Sequence, residues 1–285
     1  MINSENIIRS ALFLSAASST IIVFLIVAFM CREGIYALAL GKDFIFGMEW
    51  NPSRDQFGIF PIIVSTFIVG LGSLLISASI GIPCAIYLAE FSPDWLRNII
   101  KPSIEMLVGI PSIVLGFFGV MILVPLIRDF SGGTGESIFA GWIILSIMTL
   151  PHVISISEDS IRTVPTSYKE SSMAIGATHW QTISKVILPY ARSGILASLV
   201  LGMGNAVGET MAVLMVIGNP NRPWIPGSVF EPVRVLTSTI VIEIGYAVWG
   251  SMHQHALFGI GVVLFLVVAL LNGITMTIVR RRIGA

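Results

Sequence analysis

One carboxylate lies inside a long apolar stretch of the chain. Glu209 belongs to the run GNAVGETMAVLMVIGN, residues 204–219, where Asn205 and Thr210 are nearby hydrogen-bond donors. A charged side chain at bilayer depth costs at least about 2.5–3.5 kcal/mol, so it calls for a function. We predict that Glu209 lines a translocation pathway, in which Asn205, Thr210 and backbone N–H groups contact an anion better than an unpaired carboxylate does. The alternative is a glutamate near the outer end of a span that reaches water.

A second group of polar residues interrupts the apolar sequence at residues 168–194, which read YKESSMAIGATHWQTISKVILPYARSG. Pro165 suits the first turn of a helix, Ser167 is placed to cap it, and Gly176 falls where a left-handed residue would end it. The pattern predicts a short helix that lies across the inner face of a membrane and exposes apolar and charged groups together. An amphipathic loop resting on anionic lipid is the alternative.

Several familiar kinds of chemistry have no counterpart in the sequence. The chain has no G-x-x-x-x-G-K-[ST] phosphate loop, no H-E-x-x-H and no G-x-S-x-G, so hydrolysis by these motifs is not expected. His152, His253 and His255 share no metal-ligand spacing, and Cys31 and Cys84 are expected to be inert apolar residues. We therefore expect no catalytic residue, no metal site and no cofactor bound by this chain.

Membrane spans are the elements that must position these residues. The chain has 285 residues, of which 55% are hydrophobic and 11% charged, and its mean hydropathy is +0.90, whereas soluble domains are roughly 25% charged. The formal net charge is zero, which gives no reason to expect a nucleic-acid partner. Stretches of about 20 apolar residues can cross the hydrocarbon. Six qualify: Ser10–Cys31, Phe60–Glu90, Ile99–Ile127, Ser137–Ser157, Gly194–Ile217 and Ala256–Val279.

The distribution of lysine and arginine predicts the orientation of the spans. With the amino terminus inside, ten of these cations fall on the cytoplasmic side and six outside, and the arginine triplet at 280–282 follows the last span directly. We predict cytoplasmic amino and carboxyl termini, a cytoplasmic loop at 158–193, and external segments at 32–59 and 218–255. The apolar patch Val235–Val248 is too short to span, so we expect an interfacial or re-entrant helix there.

The cytoplasmic loop resembles the EAA loop of ABC importer permeases, which reads Glu-Ala-Ala, three residues, Gly, nine residues, Ile, one residue, Leu-Pro. Glu170, Gly176, Leu188 and Pro189 occupy the anchor positions, while Ser171 and Ser172 replace the two alanines. The resemblance implies an all-α membrane protein with six transmembrane helices, divided into a first helix and external loop at 1–59 and a permease core at 60–285. It also implies that the loop docks on an ATPase subunit, with His179 and Trp180 in the docked surface.

Four further stretches resemble the PstC-type permeases of ATP-driven phosphate importers: Ile104–Val120, Ile156–Thr178, Gly204–Asn219 and Thr237–Ala247. The resemblance implies an inner-membrane subunit that works with a PstA-like second permease, two ATPase subunits that hold ATP and Mg²⁺, and an external phosphate-binding protein. That family commonly carries an arginine where this chain has Asn205. A permease for molybdate, tungstate or sulfate, and an ion-coupled secondary transporter, are the alternatives.

Overall fold

The described residues form helices and one short hairpin. The computed structural model describes residues 4–283, with the side chains of residues 8–274, 276 and 277. The hairpin pairs β1 (Trp50–Asn51) with β2 (Gln56–Phe57). The helices are α1 (Ser4–Leu38), α2 (Lys42–Phe46), α3 (Phe60–Glu90), α4 (Asp94–Met106), α5 (Ser112–Phe118), α6 (Val124–Ser131), α7 (Ile138–Arg162), α8 (Thr166–Ala174), α9 (His179–Thr182), α10 (Leu188–Gly208), α11 (Met211–Val216), α12 (Leu236–Glu243) and α13 (Met252–Ile283).

Six helical segments of the described chain are long and apolar enough to cross a membrane, the number that the sequence predicts. They are Ile8–Leu38, Phe60–Glu90, Ser112–Ser131, Ile138–Arg162, His179–Gly208 and Met252–Ile274. The third and fifth contain turns of π-helix, at Gly119–Leu123 and Ile183–Ile187. Large apolar side chains such as Phe13 and Phe24 of α1 are exposed along the bundle, which suits contact with lipid.

The third predicted span, Ile99–Ile127, is wrong because two separate helices share it. None of the residues of α4 is buried, and a tight turn at Leu107–Gly109 leads from it to extended backbone at Ile110. Pro111 disfavours helical backbone at the residue before it, and this separates α4 from α5. The membrane-length segment is instead Ser112–Ser131.

Ion pairs tie α4 to the end of α7. Lys101 Nζ lies 2.5 Å from a carboxylate oxygen of Glu158 and 2.5 Å from one of Asp159, and Arg162 approaches the other Glu158 oxygen at 3.4 Å. Glu158 is completely buried, so these cations compensate a charge that would otherwise be very costly. Burial alone lowers the pKa of Lys101, but the hydrogen bonds to Asp159 and Glu158 outweigh it, and the pKa is raised.

The centre of the bundle is the packing of α3 against α7. Gly72 leaves room for the indole of Trp142, whose Nε1 donates to the carbonyl of Ile68 at 2.9 Å. Further along the same pair of helices, Gly81 faces Val153. In lipid, helices associate through close packing, and small residues let their backbones approach. These glycines therefore fix the distance between the two helices.

The apolar patch Val235–Val248 contains a helix, as predicted, in the form of α12. The first turn of this helix is buried in the protein. Its last residue, Glu243, accepts hydrogen bonds from Trp50 Nε1 at 3.0 Å and pairs with Arg234 and His253, each at 2.7 Å. Burial lowers the pKa of Arg234, and Glu243 opposes that shift. The network joins the hairpin, α12 and the start of α13 at one end of the bundle.

We predict that Gly72→Ala lowers the melting temperature of the purified protein in detergent micelles. A Cβ at this position would lie 1.9 Å from Trp142 Cε2, and overpacking typically costs about 1–3 kcal/mol. Gly273→Ala in α13 is the matched control, because no described atom lies within 4 Å of its Cβ position and alanine favours a helix. An unchanged melting temperature for Gly72→Ala would mean that this contact does not set the spacing of α3 and α7.

Candidate functional site

The polar segment after α7 forms a helix with defined ends. α8 begins at Thr166, directly after Pro165, so the predicted cap at Ser167 is wrong and that residue lies in the first turn. The helix ends at Ala174. Gly176 has a φ of 90°, which confirms the left-handed conformation predicted for it. A proline before the first turn and a glycine after the last thus set the length of α8.

Contacts on the inner side of α8 hold it to the bundle. Ser172 is buried, and its hydroxyl lies 3.0 Å from that of Thr182. Lys169 pairs at 2.5 Å with Glu90, the last residue of α3, and His179 lies 3.8 Å from the other Glu90 oxygen. The Glu90 side chain is only 4% exposed, so Lys169 compensates a nearly buried carboxylate. The ion pair therefore attaches the loop helix to the end of α3.

The turn after Gly176 is fixed by a capping box and an apolar cluster. The Thr178 hydroxyl accepts from the N–H of Gln181, and the Gln181 side chain accepts from the N–H of Thr178. Leu188 packs on a cluster from the ends of three spans. Its buried members are Ala85, Ile161, Val164, Ile183, Ile187 and Ala191. The loop is therefore seated firmly on the bundle.

One helical segment connects this loop to the interior of the bundle. It runs from His179 to Gly208 over 30 residues, so the helix begins well before Gly194, the predicted start of the fifth span. Pro189 lies within it and cannot donate to the carbonyl four residues earlier, that of Lys185. That carbonyl falls in the π-helical turn Ile183–Ile187, a form that accommodates such a local disturbance.

The outer side of the loop is an exposed surface of mixed polar and apolar character, which we call the loop surface (residues 166–180). Exposed residues of the predicted set are Glu170, Ser171, Gly176, His179 and Trp180, together with Pro189 on the adjoining helix. Ser172 is buried and Leu188 half-buried, so these two support the surface from below. The structure adds Ile175, 87% exposed, and Met173, 46% exposed. Exposed apolar groups of this kind are typical of a surface that a partner protein or a membrane covers.

The fifth span is interrupted at Glu209, where the sequence predicts an unbroken helix. α10 ends at Gly208, Glu209 has φ −68° and ψ 130°, and α11 begins at Met211. The Glu209 carboxylate accepts from the N–H of Ala212 at 3.3 Å, and the Glu209 carbonyl accepts from the Thr237 hydroxyl at 3.2 Å. The predicted pathway residue therefore also caps the first turn of α11.

The interruption at Glu209 and the one before α5 meet at a single cavity of about 270 Å³. The cavity is lined by five residues of the α4–α5 connection and the start of α5, including Ser112, by Met148 and His152 of α7, and by Asn205 and Glu209. Non-helical backbone at membrane depth is tolerated where it lines a cavity or is covered by protein. In transporters, broken helices commonly form the substrate site. Asn205 and Glu209, both predicted to line a pathway, thus lie together in a suitable place.

The structure separates Thr210 from the cavity and brings His152 into it. The Thr210 hydroxyl donates to the carbonyl of Gly208 at 3.2 Å, and Thr210 does not line the cavity. Nothing in the sequence brings His152 close to Asn205, because more than fifty residues separate them. The available signal was a histidine inside an apolar span, because His152 lies within the predicted span Ser137–Ser157.

Comparison with known proteins identifies the family of this chain. The family described as the binding-protein-dependent transport system inner membrane component matches residues 81–284. This chain belongs to that family. The matched region contains the loop surface and the residues that line the cavity. The protein is accordingly an inner-membrane component of a transport system.

Individual members of the transport family resemble the chain over most of its length. A probable ABC transporter permease protein, YqgH of Bacillus subtilis (strain 168), is 42% identical over 89% of this chain and 82% of the relative. The phosphate transport system permease protein PstC of Pasteurella multocida (strain Pm70) is 33% identical over 92% of this chain and 88% of the relative. A bacterial alginate ABC transporter in complex with its alginate pentasaccharide-bound periplasmic protein is similar with a TM-score of 0.63, at 18% identity over 99% of this chain and 98% of that one. That likeness confirms the ABC importer permease fold.

Replacing Lys169 by methionine is expected to loosen α8 from α3. The change leaves the 4%-exposed Glu90 carboxylate without its lysine partner, and breaking a buried ion pair in this way costs about 3–5 kcal/mol. Hydrogen–deuterium exchange of residues 166–174 in nanodiscs should become about tenfold faster or more. Glu90→Gln combined with Lys169→Met removes both charges and should return exchange toward the native rate. Native exchange in the single variant would contradict the anchoring role of this pair.

Proposed function

We propose that this chain is a transmembrane permease subunit of an ATP-driven importer for inorganic phosphate, which receives the anion from an external binding protein. The observation that carries the proposal is the 30-residue segment His179–Gly208, which joins the exposed loop surface to the cavity at membrane depth. A displacement of the loop surface is therefore transmitted to the cavity through one continuous helical segment. Phosphate as the cargo is supported by the similarity to PstC over nearly the full chain.

The loop surface is the part that couples transport to ATP hydrolysis. ATP and Mg²⁺ belong to two separate ATPase subunits, and this chain binds no cofactor of its own. Ile175 and Trp180 are the apolar groups that enter a groove of the ATPase, while Glu170 makes an ion pair at its edge. Gly176 forms the turn that presents them. When the ATPase pair closes, the loop is drawn with it and the attached span follows as a rigid body.

The proposal sets the chain in the membrane with residues 158–193 and both termini in the cytoplasm. Ten of the sixteen lysines and arginines then lie inside. The side chains of the arginine triplet at 280–282, which weighs heavily in that count, lie outside the described part of the structure. Residues 1–59 form a first helix and external loop, and residues 60–285 form the permease core.

A second, PstA-like permease covers the exposed face of α10 in this proposal. Asn205 is exposed on that face, and so is Gly208, about one turn further. No described atom lies within 4 Å of a Cβ built on Gly208. Polar and small residues are characteristic of helix–helix contacts within the membrane, whereas lipid provides no hydrogen bond for an asparagine. The pathway then lies between the two permeases.

The choice of phosphate as the cargo rests on the similarity to PstC. One residue, Asn205, gives a reason to consider a second anion. Asn205 occupies the place of an arginine common in phosphate-importer permeases, so the chain departs from that family's pattern at a predicted pathway residue. A related oxyanion such as molybdate, tungstate or sulfate is the second candidate for this reason.

Uptake by the reconstituted complex tests the proposal. Proteoliposomes containing this chain, the second permease and the ATPase subunits should accumulate labelled phosphate only when ATP and the phosphate-binding protein are both present. Excess unlabelled sulfate, molybdate or tungstate should not compete. Competition by one of these anions would mean that the complex is not specific for phosphate, and uptake of that labelled anion without any uptake of labelled phosphate would replace phosphate as the cargo. Uptake by the lone chain without ATP would instead indicate an ion-coupled secondary transporter.

Gly176→Ala is expected to reduce ATP-driven uptake while leaving membrane insertion unchanged. A left-handed conformation costs an L-residue about 1–2 kcal/mol, and no described atom is within 4 Å of the added Cβ, so the effect acts through the backbone. The corresponding loss is about five- to thirtyfold, with a parallel loss of ATPase co-purification. Gly176→Asn is the matched control because asparagine tolerates this conformation, and it should retain most of the activity. Equal transport by both variants would remove Gly176 from the coupling mechanism.

A further inference from the structure

Two arginines from distant parts of the chain line one cavity to which the proposed function gives no role. Arg54 lies in the turn of the β1–β2 hairpin, and Arg222 lies in the connection between α11 and α12. The cavity, which we call the arginine cavity, has a volume of about 350 Å³. Both side chains are exposed, and neither guanidinium forms an ion pair or a hydrogen bond within the described part of the chain. Two unpaired cations at one concave site leave a charge that a partner can neutralise.

The arginine cavity lies at the end of the bundle opposite to the loop surface. α3 begins at Phe60, shortly after the hairpin, and ends at Glu90, which pairs with Lys169 of the loop surface. At ~1.5 Å per residue, the 31 residues of α3 separate the two ends by about 46 Å. In the proposed orientation the loop surface is cytoplasmic, so the arginine cavity faces the external side. An external binding protein approaches the complex from that side.

Internal contacts hold both sides of the arginine cavity in place. Trp50 of the hairpin lines the cavity, is buried, and donates through Nε1 to Glu243 at 3.0 Å. On the other side, one carboxylate oxygen of Glu231 accepts from Trp224 Nε1 and from the N–H of Gly227, each at 3.1 Å. Segments that are ordered before binding lose little conformational entropy when a partner binds. The cavity is therefore pre-formed for a ligand.

The rest of the lining favours a protein as the ligand of the arginine cavity. Met48 and Trp224 are 55% and 45% exposed beside the two arginines. Methionine, aromatic residues and arginine are enriched in protein–protein interfaces, and an inorganic anion would make no use of the apolar groups. A guanidinium matches a carboxylate with two parallel hydrogen bonds. Glu49 also lines the cavity and forms no ion pair there, so the two positive charges outweigh one negative charge and suit an acidic partner.

We propose that the arginine cavity is a docking site for the external binding protein, and that Arg54 and Arg222 bind acidic side chains on its surface. The inference rests on the proposed function, which requires such a protein, and adds the place and the charge of its contact. Exposed charges at an interface act mainly by speeding association. Glu49 repels the same acidic side chains. Charges of opposite sign in one cavity therefore change the association rate in opposite directions.

Association of the phosphate-loaded binding protein with the complete complex in nanodiscs tests the docking site. The double variant Arg54→Gln/Arg222→Gln should lower the association rate constant about tenfold at low salt. This difference should vanish near ~1 M salt, where the Debye length is about 3 Å. Glu49→Gln should raise the rate constant about two- to threefold. Lys42→Gln is the matched control, because this exposed lysine of α2 lies at the same end of the bundle but does not line the cavity, and it should associate at the wild-type rate.

An unchanged association rate in the double variant would overturn the docking site, as would an equal loss in Lys42→Gln or a slower rate in Glu49→Gln. The melting temperature shows whether each variant folds, and Glu49→Gln decides if the double variant does not. A wild-type complex that fails to bind the binding protein is a separate result, which contradicts the proposed function and removes the docking site with it.

Two other occupants of the arginine cavity would also overturn the proposal. Inorganic phosphate titrated into the complex without the binding protein would reveal a free-anion site if the double variant lost that binding. Nanodiscs of phosphatidylglycerol and of phosphatidylcholine would reveal a lipid headgroup site if the anionic lipid raised the melting temperature of the wild type and not that of the double variant. We expect neither difference, because the docking site takes its carboxylates from the binding protein.

Discussion

The pairing of backbone polar groups within the hydrocarbon is the constraint on which this structure depends. Lipid offers no hydrogen bond to a peptide group, so a spanning segment stays helical except where protein or a cavity takes over. The chain breaks that rule within the fifth span at Glu209, and the connection just before the third span meets the same cavity. Local bonds satisfy part of the exposed backbone: the Ile110 N–H donates to the carbonyl of Leu107 and the Thr237 hydroxyl donates to that of Glu209. Both places open on one cavity, which puts the irregular backbone where it is least costly.

The same constraint also bears on how the helices would move during transport. In the proposed mechanism, the helical segment from His179 to Gly208 carries a displacement of the loop surface into the bundle as a rigid body. Beside this segment, α3 packs closely against α7, and the Trp142 indole lies against Gly72. Lys169 and Glu90 then attach the loop to the end of α3. In the proposed mechanism, the loop, the end of α3 and this segment are therefore displaced together.

Buried carboxylates have different surroundings at the ends of the bundle and in its middle. Glu90, Glu158 and Glu243 are nearly buried carboxylates at helix ends, and each pairs with lysine or arginine. These fixed pairs join elements that need to stay together. Glu209, by contrast, lines a cavity in which the described residues include no lysine or arginine. A permanent ion pair there would compete with a passing anion.

The sequence alone determined the membrane class, the number of spans and the left-handed turn at Gly176, because these follow from composition, apolar run length and local backbone preference. The family's loop motif could likewise be recognised from spacing. The break at Glu209 and the division of the third predicted span could not, since hydropathy averages over a window and stays high across a short interruption. Only tertiary structure decided that Ser172 faces inward, that Thr210 is outside the cavity and that His152 is in it. Those outcomes depend on contacts between helices distant in sequence, which no local pattern records.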